Sequence, residues 1–267
     1  MLIAITGANG VVGRAVTREL AHAGHHVRAI DKTPGTATVL ADACDHDDLS
    51  AAVDGADAIV HLAGLRSPHV ADPATVHHTN VVASYNALTI AAEHGITKIC
   101  TASSINAVGG AYSRRAHYDY FPVDERHPTY NEDPYSLSKW IAEAQADSLA
   151  RRHPELSIAS LRLHGVTTDR RSAIADRPGP DMVINHLWGY VRGDAVGQAV
   201  LAALHPDWHG HEIINIVAAD TISETPSAQL AAQHWPHVPL RTDLPGNRGF
   251  YDCGKAHRLL GWSHPEP

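Results

Sequence analysis

Tyr135 and Lys139, four residues apart, are the two side chains of this sequence best suited to proton chemistry. Asp133 and Pro134 precede them, and these residue types are typical of the N-cap and first position of a helix. Residues four apart share one helix face, so the lysine charge and the positive helix end would both favour the phenolate. A tyrosine that works as acid or base near neutral pH needs its pKa lowered by about three units from roughly 10. A tyrosine and lysine at this spacing also occur on ordinary helices, so the rest of the chain decides their role.

A glycine-rich turn follows the first predicted strand, residues 2–6. Gly7, Gly10 and Gly13 open a helical pattern that extends to about residue 23. Glycines let the backbone turn tightly and approach a pyrophosphate, which the helix N-terminus then faces. The spacing is G-x-x-G-x-x-G, which departs from the G-x-G-x-x-G dinucleotide fingerprint. Its place directly after the first strand favours a phosphate-binding turn over a purely structural one.

Asp31 ends the second predicted strand, residues 26–30, about 20 residues after the glycines. A carboxylate at this point can accept hydrogen bonds from an adenosine ribose and would repel a 2′-phosphate. The sequence therefore favours NAD over NADP. Lys32 could offset part of the repulsion, so use of NADP stays open.

Strands and helices alternate along the chain. After the first two strands, the pattern predicts strands at 58–62, 99–102 and 157–163, and helices at 73–93 and 134–152. This alternation predicts an α/β fold of Rossmann type, a doubly wound parallel sheet with its ligand at the carboxyl ends of the strands. Ala63, Gly64, Ser103 and Ser104 fall at those ends, as do the glycine turn and Asp31.

The second half of the chain has a less regular pattern. A helix is predicted at 194–204, a strand at 212–217 and a further helix after Ser223. We expect residues 1–165 to form the NAD-binding core and residues 166–267 a small substrate-binding part, interleaved with the core into one compact unit. The loop 109–133 is long and rich in aromatic residues, and we expect it to line the substrate pocket.

Composition excludes several classes of partner. The 267 residues include 21 Lys and Arg against 29 Asp and Glu, a net charge of −8 that gives no basic surface for nucleic acid. No run of 18 apolar residues, no leader pattern and no paired cysteine spacing occur, so we expect a cytoplasmic protein without a membrane partner. His205, His209 and His211 lie close together, but Pro206 and Gly210 interrupt them, so no metal site is expected.

These features in combination resemble the extended short-chain dehydrogenase/reductase family, the NAD-dependent epimerase/dehydratase group. The resemblance covers nearly the whole chain and rests on these motifs: Thr6-Gly7-x-x-Gly10-x-x-Gly13, Asp31, His61-Leu62-Ala63-Gly64, Asn80, Ser103-Ser104 and Tyr135-x-x-x-Lys139. It implies that Tyr135 is the acid or base of hydride transfer. It also implies that Lys139 binds the nicotinamide ribose and lowers the pKa of Tyr135, and that Ser104 holds the reacting oxygen.

The expected binding residues fall into two sets. The expected cofactor contacts are Gly7, Asn9, Gly10, Val11, Val12, Gly13, Asp31, Asp42, Ala43, Leu62, Ala63, Gly64, Asn80, Tyr135 and Lys139. The expected substrate contacts are Arg66, Ser67, Ser104, Asn106, Arg162 and Arg170. The family also implies a homodimer through the helices 73–93 and 134–152.

Departures from the family pattern narrow the reaction. Ile105 and Asn106 stand where nucleotide-sugar 4,6-dehydratases carry two acids, which disfavours that elimination. Val108 replaces a common tyrosine. The short segment 165–185 leaves little room for a nucleotide-binding lobe, and the chain is similar in length to uronate dehydrogenases, although their Ser-Ser-Asn-His stretch is not reproduced.

We therefore expect an NAD-dependent oxidoreductase that interconverts a secondary alcohol and a ketone or lactone on a small sugar-like or polyhydroxy substrate. A sugar 4-epimerase with tightly bound NAD and a non-catalytic NAD-binding sensor stay open as alternatives. The retained set of Ser104, Tyr135 and Lys139 argues against the sensor, because a sensor needs no proton donor.

Overall fold

The computed structural model describes residues 1–265, which contain nine strands. The strands are β1 (Leu2–Thr6), β2 (His26–Asp31), β3 (Val39–Leu40), β4 (Ala58–His61), β5 (Lys98–Ser104), β6 (Ser157–Leu163), β7 (Val166–Thr167), β8 (Val191–Arg192) and β9 (Gly210–Ile216). Seven of them form one parallel sheet in the order β3-β2-β1-β4-β5-β6-β9. The remaining two, β7 and β8, pair in parallel with each other.

Helices cover both faces of the large sheet. The α-helices of the described residues are α1 (Val11–His22), α2 (His46–Val53), α3 (Pro73–Glu93), α4 (Pro134–Arg152), α5 (Arg170–Ala175), α6 (Pro180–Asn185), α7 (Gly193–Ala203), α8 (Ser227–His234) and α9 (Gly254–Leu260). One apolar core joins the sheet to α1, α7 and α9. A second joins its other face to α2, α3 and α4. The predicted doubly wound, Rossmann-type parallel sheet is confirmed.

The bounds of the elements follow local sequence signals. Asp72 accepts a hydrogen bond from the Thr75 amide at 3.0 Å and so caps α3, which carries a proline in its first turn. All seven residues of β6 are buried, as expected for an inner strand of a parallel sheet. The short strands β3, β7 and β8 escape sequence prediction because two residues give no periodicity.

A third apolar core joins the loop 109–133 to the second half of the chain. It contains Tyr118 and Phe121 from the loop, Leu187 and Trp188 after α6, and Phe250 near the C-terminus. The Phe121 amide donates to the Pro239 carbonyl at 3.0 Å, which ties the two segments together. The division of the chain at residue 165 stays a prediction, since β9 from the second half belongs to the main sheet.

A serine, a histidine and an aspartate are linked by hydrogen bonds beneath α4. His211 is 2.7 Å from Asp147 and 2.8 Å from the Ser160 hydroxyl. Ser160 is only 1% exposed, and its hydroxyl also bonds to that of Thr101. A buried hydroxyl inside the sheet cannot meet a substrate, so we assign this chain of hydrogen bonds to the fold and not to hydrolysis.

Two kinds of site are not found in the described part of the chain. None of its helices is long and apolar enough to cross a membrane. Within residues 1–265, no three His, Cys, Asp or Glu side chains are grouped so as to hold a metal ion.

Candidate active site

The start of α4 places Tyr135 and Lys139 at the carboxyl edge of the sheet. The Asp133 carboxylate accepts hydrogen bonds from the amides of Tyr135 and Ser136, both at 2.9 Å, and Pro134 occupies the first helical position. The predicted cap and helix start are therefore observed. Because α4 packs against β5, the side chains of its first turns meet the end of that strand.

Tyr135 and Ser104 lie next to each other. Tyr135 is 8% exposed, and the hydroxyl of Ser104, the last residue of β5, is close enough to its phenol to act on the pKa of Tyr135. The Ser104 oxygen accepts from the Asn106 amide at 3.1 Å, which fixes its rotamer. The two hydroxyls expected to hold a reacting oxygen thus lie together.

The electrostatics of Tyr135 differ from the sequence-based expectation. Burial raises the pKa of Tyr135 to about 12; the nearby Ser104 hydroxyl opposes this effect, while Tyr112 and Asp133 add to it. The expectation that Lys139 and the helix end favour the phenolate is therefore wrong for the protein alone. Burial of the phenol is the main reason, and the Asp133 cap adds a negative charge at the helix end. The Lys139 ammonium donates to the Ala102 carbonyl at 2.7 Å.

The pKa of Lys139 is also shifted from its usual value. Burial lowers the pKa of Lys139 to about 8, although the Glu143 charge one turn further along α4 opposes the shift. Its nitrogen lies 5.8 Å from the centre of the Tyr135 ring. A cation at this place is thus near the aromatic ring without bonding to the phenol oxygen.

The glycine turn brings β1 and α1 very close together. Gly7 has a φ of 69°, and a Cβ on it would lie 2.7 Å from the Ala63 amide nitrogen. A Cβ on Gly13 would lie 2.3 Å from the Gly7 carbonyl oxygen. No side chain caps α1, so its first backbone N–H groups are available to an anion.

A cavity of about 170 Å³ lies beside this turn. Eight of the predicted cofactor residues line it, namely Gly7, Gly10, Asp31, Asp42, Ala43, Leu62, Ala63 and Gly64. Lys32, Cys44 and Thr79 also line it, and the last two escaped the sequence prediction because no motif marks them. Asn9, Val11, Val12 and Gly13 lie in the turn or at the start of α1, outside the lining.

Asp31 is held as a charged acceptor at this cavity. Its carboxylate accepts from the Asn9 amide at 3.0 Å and from the amide and hydroxyl of Thr33 at 3.0 and 2.9 Å. Burial acts to raise the pKa of Asp31, but these hydrogen bonds together outweigh it and lower the pKa. With the glycine turn and the uncapped helix, this donor and acceptor set fits a dinucleotide.

Asn80 braces the site instead of lining it. Its side-chain oxygen accepts from the Leu65 amide at 2.7 Å, and its nitrogen donates to the Leu65 carbonyl and the Ser138 hydroxyl, both at 3.0 Å. Asn80 therefore ties the turn after β4 to the helix that carries Tyr135. Its predicted contact with the cofactor stays a prediction.

The predicted substrate residues nearest to Tyr135 are in the loop after β4. The Ser67 hydroxyl is close enough to Tyr112 to lower the pKa of its phenol, against the larger effect of burial, and the Tyr112 ring meets the Tyr135 ring edge-on at 5.8 Å between centres. Arg66 is exposed beside them. Asn106 is buried, and its side-chain oxygen has no hydrogen-bond partner in the described structure.

Two predicted substrate residues are engaged in the fold. Arg162 is 5% exposed and makes two hydrogen bonds of 2.8 Å to the Glu143 carboxylate. Arg170 donates to the Thr221 carbonyl at 3.0 Å and pairs with Asp220 at 3.0 Å. Their guanidinium groups are occupied by these partners, so the structure does not support their prediction as substrate contacts.

The model of the NAD dependent epimerase/dehydratase family matches residues 3–187, and the chain belongs to this family. The resemblance to the extended short-chain dehydrogenase/reductase family, the NAD-dependent epimerase/dehydratase group, is therefore confirmed. The cofactor of the chain is NAD, which the glycine turn, the uncapped α1 and Asp31 fit.

Curated relatives include both dehydrogenases and an epimerase. The chain is 33% identical over 181 residues to the dTDP-6-deoxy-L-talose 4-dehydrogenase (NAD(+)) of Aggregatibacter actinomycetemcomitans, covering 64% of this chain and 63% of the relative. It is 30% identical over 174 residues to the L-arabinose 1-dehydrogenase (NAD(P)(+)) of Haloferax volcanii, covering 62% and 67%. It is 24% identical over 237 residues to the UDP-glucose 4-epimerase of Caenorhabditis elegans, covering 78% and 66%. The chain thus spans about two thirds of the length of these relatives.

Solved structures share the fold. A UDP-glucose 4-epimerase from Stenotrophomonas maltophila with bound NAD matches with a TM-score of 0.74 at 22% identity, covering 100% of this chain and 94% of that one. A mutated uronate dehydrogenase matches with a TM-score of 0.71 at 22% identity, covering 99% and 82%.

Proposed function

We propose that this protein oxidises or reduces a secondary alcohol or its ketone or lactone on a small sugar-like or polyhydroxy substrate, with NAD as the hydride partner. The observation that carries the proposal is that Ser104 and Tyr135 lie together, both buried, at the sheet edge that also carries the glycine turn. Paired hydroxyls at that edge suit a substrate with an alcohol or carbonyl oxygen.

Residues of two regions would hold NAD. Gly7, Gly10 and the first N–H groups of α1 would bind the pyrophosphate, and Asp31 the adenosine ribose. Lys139 would bind the nicotinamide ribose, as the family resemblance implies. When bound, NAD accepts or donates the hydride.

Tyr135 and Ser104 would handle the proton at the reacting oxygen. With its pKa raised to about 12 by burial, the Tyr135 phenol is protonated at neutral pH and can donate to a ketone oxygen. In the reverse direction the phenol first releases its proton to solvent, and the resulting phenolate oxygen takes the alcohol proton. Ser104 would hold the substrate oxygen within reach of the phenol, because its own orientation is fixed by the Asn106 amide.

A panel assay tests this function. Thermal unfolding with saturating NAD is measured against L-arabinose, D-galactose, D-glucuronate and UDP-glucose, because a true ligand stabilises by mass action. Formation of NADH at 340 nm then follows with any ligand that stabilises. Binding of a sugar without any NADH, in a protein that also lacks epimerase activity, would contradict an oxidoreductase or epimerase function.

A 4-epimerase is the second candidate. The specific support is the similarity to the Caenorhabditis elegans epimerase, which extends over more of this chain than that to either dehydrogenase. An epimerase reduces its own keto intermediate and releases no NADH, whereas a dehydrogenase accumulates it. Loss of substrate with NADH accumulation therefore favours the dehydrogenase, and sugar inversion without NADH favours the epimerase.

We expect Asp31→Ala to weaken NAD binding by about tenfold to a hundredfold, the range for loss of hydrogen bonds to a charged group. The same change removes the repulsion of a 2′-phosphate, so the preference for NAD over NADP should fall. Calorimetric Kd values for both cofactors measure it. Lys32→Ala is the matched control, since it lines the same cavity but should keep the preference for NAD. If Asp31→Ala left the ratio of the Kd values for NAD and NADP unchanged, the proposed role of Asp31 would be refuted.

We also propose that the protein is a homodimer through α3 and α4. These helices pack against each other, and each exposes a large aromatic side chain, Tyr85 on α3 and Trp140 on α4. Exposed aromatic residues are enriched where proteins associate. Sedimentation equilibrium should give twice the chain mass of 28.6 kDa, and Trp140→Glu should shift it toward the monomer. A monomeric wild-type protein at micromolar concentration would contradict the proposal.

A further inference from the structure

His186 lies one aromatic ring away from Tyr135. It directly follows α6, and its ring meets the Tyr112 ring edge-on at 6.1 Å between centres. Tyr112 in turn meets Tyr135 edge-on at 5.8 Å. The loop 109–133 and the end of α6 are joined at this point, because the Tyr118 hydroxyl donates to the Asn185 carbonyl at 2.7 Å.

The His186 side chain has a buried nitrogen without a partner. Within residues 1–265, its Nε2 atom is covered and makes no hydrogen bond. His164, whose ring packs against it at 5.2 Å, uses both nitrogens: Nε2 donates to the His186 carbonyl at 2.9 Å, and Nδ1 accepts from the Gly165 amide at 2.6 Å. An unpaired buried nitrogen is costly, so its retention beside the active site calls for a ligand or another explanation.

The backbone that follows His186 is also costly. Leu187 and Trp188 have φ values of 55° and 52°, a left-handed conformation that residues with side chains rarely adopt. Both are buried, which lets packing enforce the turn. Strained residues of this kind cluster at functional sites, where the strain holds a neighbour in place. Here the turn keeps the ring of His186 against Tyr112.

We propose that His186 is a substrate-recognition residue whose Nε2 hydrogen-bonds an uncharged hydroxyl or carbonyl group of the sugar held by Ser104 and Tyr135. This inference rests on the proposed function. Tyr112 contacts both rings and so lies between Tyr135 and His186, and the proposal requires its ring to turn aside when the substrate binds.

The charge of His186 narrows the substrate class. Burial, aided by the nearby His164, lowers the pKa of His186 to about 3, so the imidazole is neutral at physiological pH. A neutral imidazole donates or accepts one hydrogen bond but offers no charge to a carboxylate. The site therefore suits a neutral sugar at this position better than a sugar acid.

Substitution of His186 by phenylalanine tests the inference against a purely structural role. His186→Phe keeps an aromatic ring against Tyr112 and removes the unpaired nitrogen. His69→Phe is the matched control, because the His69 ring also meets Tyr112 edge-on, at 5.7 Å, but is exposed to solvent. Unfolding temperatures are measured for the full chain without ligand and with NAD plus L-arabinose, D-galactose, D-glucuronate or UDP-glucose.

We expect His186→Phe to unfold a few degrees higher than wild type without ligand and to bind the neutral sugar at least tenfold more weakly. His186→Gln should recover part of the affinity, since its amide can form the hydrogen bond. His69→Phe should change neither quantity.

Three results would overturn the inference: undiminished sugar binding by His186→Phe, a wild-type protein that none of the four sugars stabilises beyond NAD alone, or binding of D-glucuronate in preference to every neutral sugar. Failure of the proposed function is recognised separately. The wild-type protein could bind a neutral sugar through His186 and yet show neither NADH formation nor sugar inversion. That result would support the role of His186 in recognition and contradict the proposed reaction.

Discussion

Tyr135→Phe is expected to lower kcat for hydride transfer by about 10²- to 10⁴-fold, the usual contribution of a positioned acid or base. Phenylalanine keeps the ring that packs against Tyr112 and removes only the hydroxyl that lies beside Ser104. The loss should therefore appear in kcat, while KM for the substrate and Kd for NAD change little. Single-turnover formation of NADH with the sugar found in the panel assay measures the effect.

Two variants bracket this experiment. Ser104→Ala should give a smaller loss than Tyr135→Phe, because it removes the hydrogen bond that holds the reacting oxygen but leaves the proton donor. Tyr85→Phe removes a phenol from an exposed position on α3 and should leave turnover at the wild-type level. Near-normal hydride transfer by Tyr135→Phe, with NAD still bound, would refute the mechanism.

The catalytic pair illustrates what a sequence reveals about a site and what it omits. Asp133 and Pro134 mark the start of α4 by local chemistry, and the helical period then places Tyr135 and Lys139 on one face. Neither signal predicts how deeply Tyr135 is buried or which group the Lys139 ammonium contacts. In the structure, burial raises the pKa of Tyr135 where the sequence predicted that it would fall, and the Lys139 ammonium donates to the Ala102 carbonyl.

The cofactor side of the site was predictable to the extent that it depends on local motifs. The glycine turn and Asp31 follow strands directly, and the parallel sheet brings both to one edge. Asn80 was marked by the family resemblance, but its partner Ser138 lies 58 residues away in sequence. Only the packing of α3 against α4 brings that pair together, and it gives Asn80 a bracing role that no local pattern predicts.

The substrate side was less predictable for the same physical reason. Tyr112 could be named only as one aromatic residue of a long loop, and His186 carries no sequence signal at all. The left-handed turn that holds His186 is built from Leu187 and Trp188, where turn rules expect glycine or asparagine. Such a turn is imposed by tertiary packing and leaves no local pattern.

Arg162 was predicted to contact substrate, but its guanidinium pairs with Glu143. Substitution of Glu143 is the second change with a large expected effect. Glu143→Gln should destabilise the protein by about 3–5 kcal/mol, because it leaves the Arg162 guanidinium buried without a counter-charge. Glu143 is 3% exposed, and its carboxylate accepts from the Ser103 hydroxyl at 2.6 Å as well as from Arg162. It therefore joins α4, β5 and β6 directly beneath the catalytic residues.

Urea unfolding of the full chain measures this loss as a free energy of unfolding. The double variant Glu143→Leu with Arg162→Met should recover most of it, since two apolar side chains need no pairing. The control Glu132→Gln weakens an exposed ion pair with Arg114 and should cost less than about 1 kcal/mol. A loss below that level for Glu143→Gln would show that Arg162 finds other partners.

Glu143→Gln should also affect NAD binding, through Lys139. The Glu143 charge opposes the effect of burial on Lys139, so Glu143→Gln should lower the pKa of Lys139 below its present value of about 8. The fraction of charged Lys139 at neutral pH then falls, and NAD binding should become weaker at neutral pH than at pH 6. Wild type should show a smaller change over that range, because its Lys139 stays mostly protonated. If NAD affinity depended on pH equally in wild type and Glu143→Gln, Glu143 would have no effect on NAD binding and would contribute only to stability.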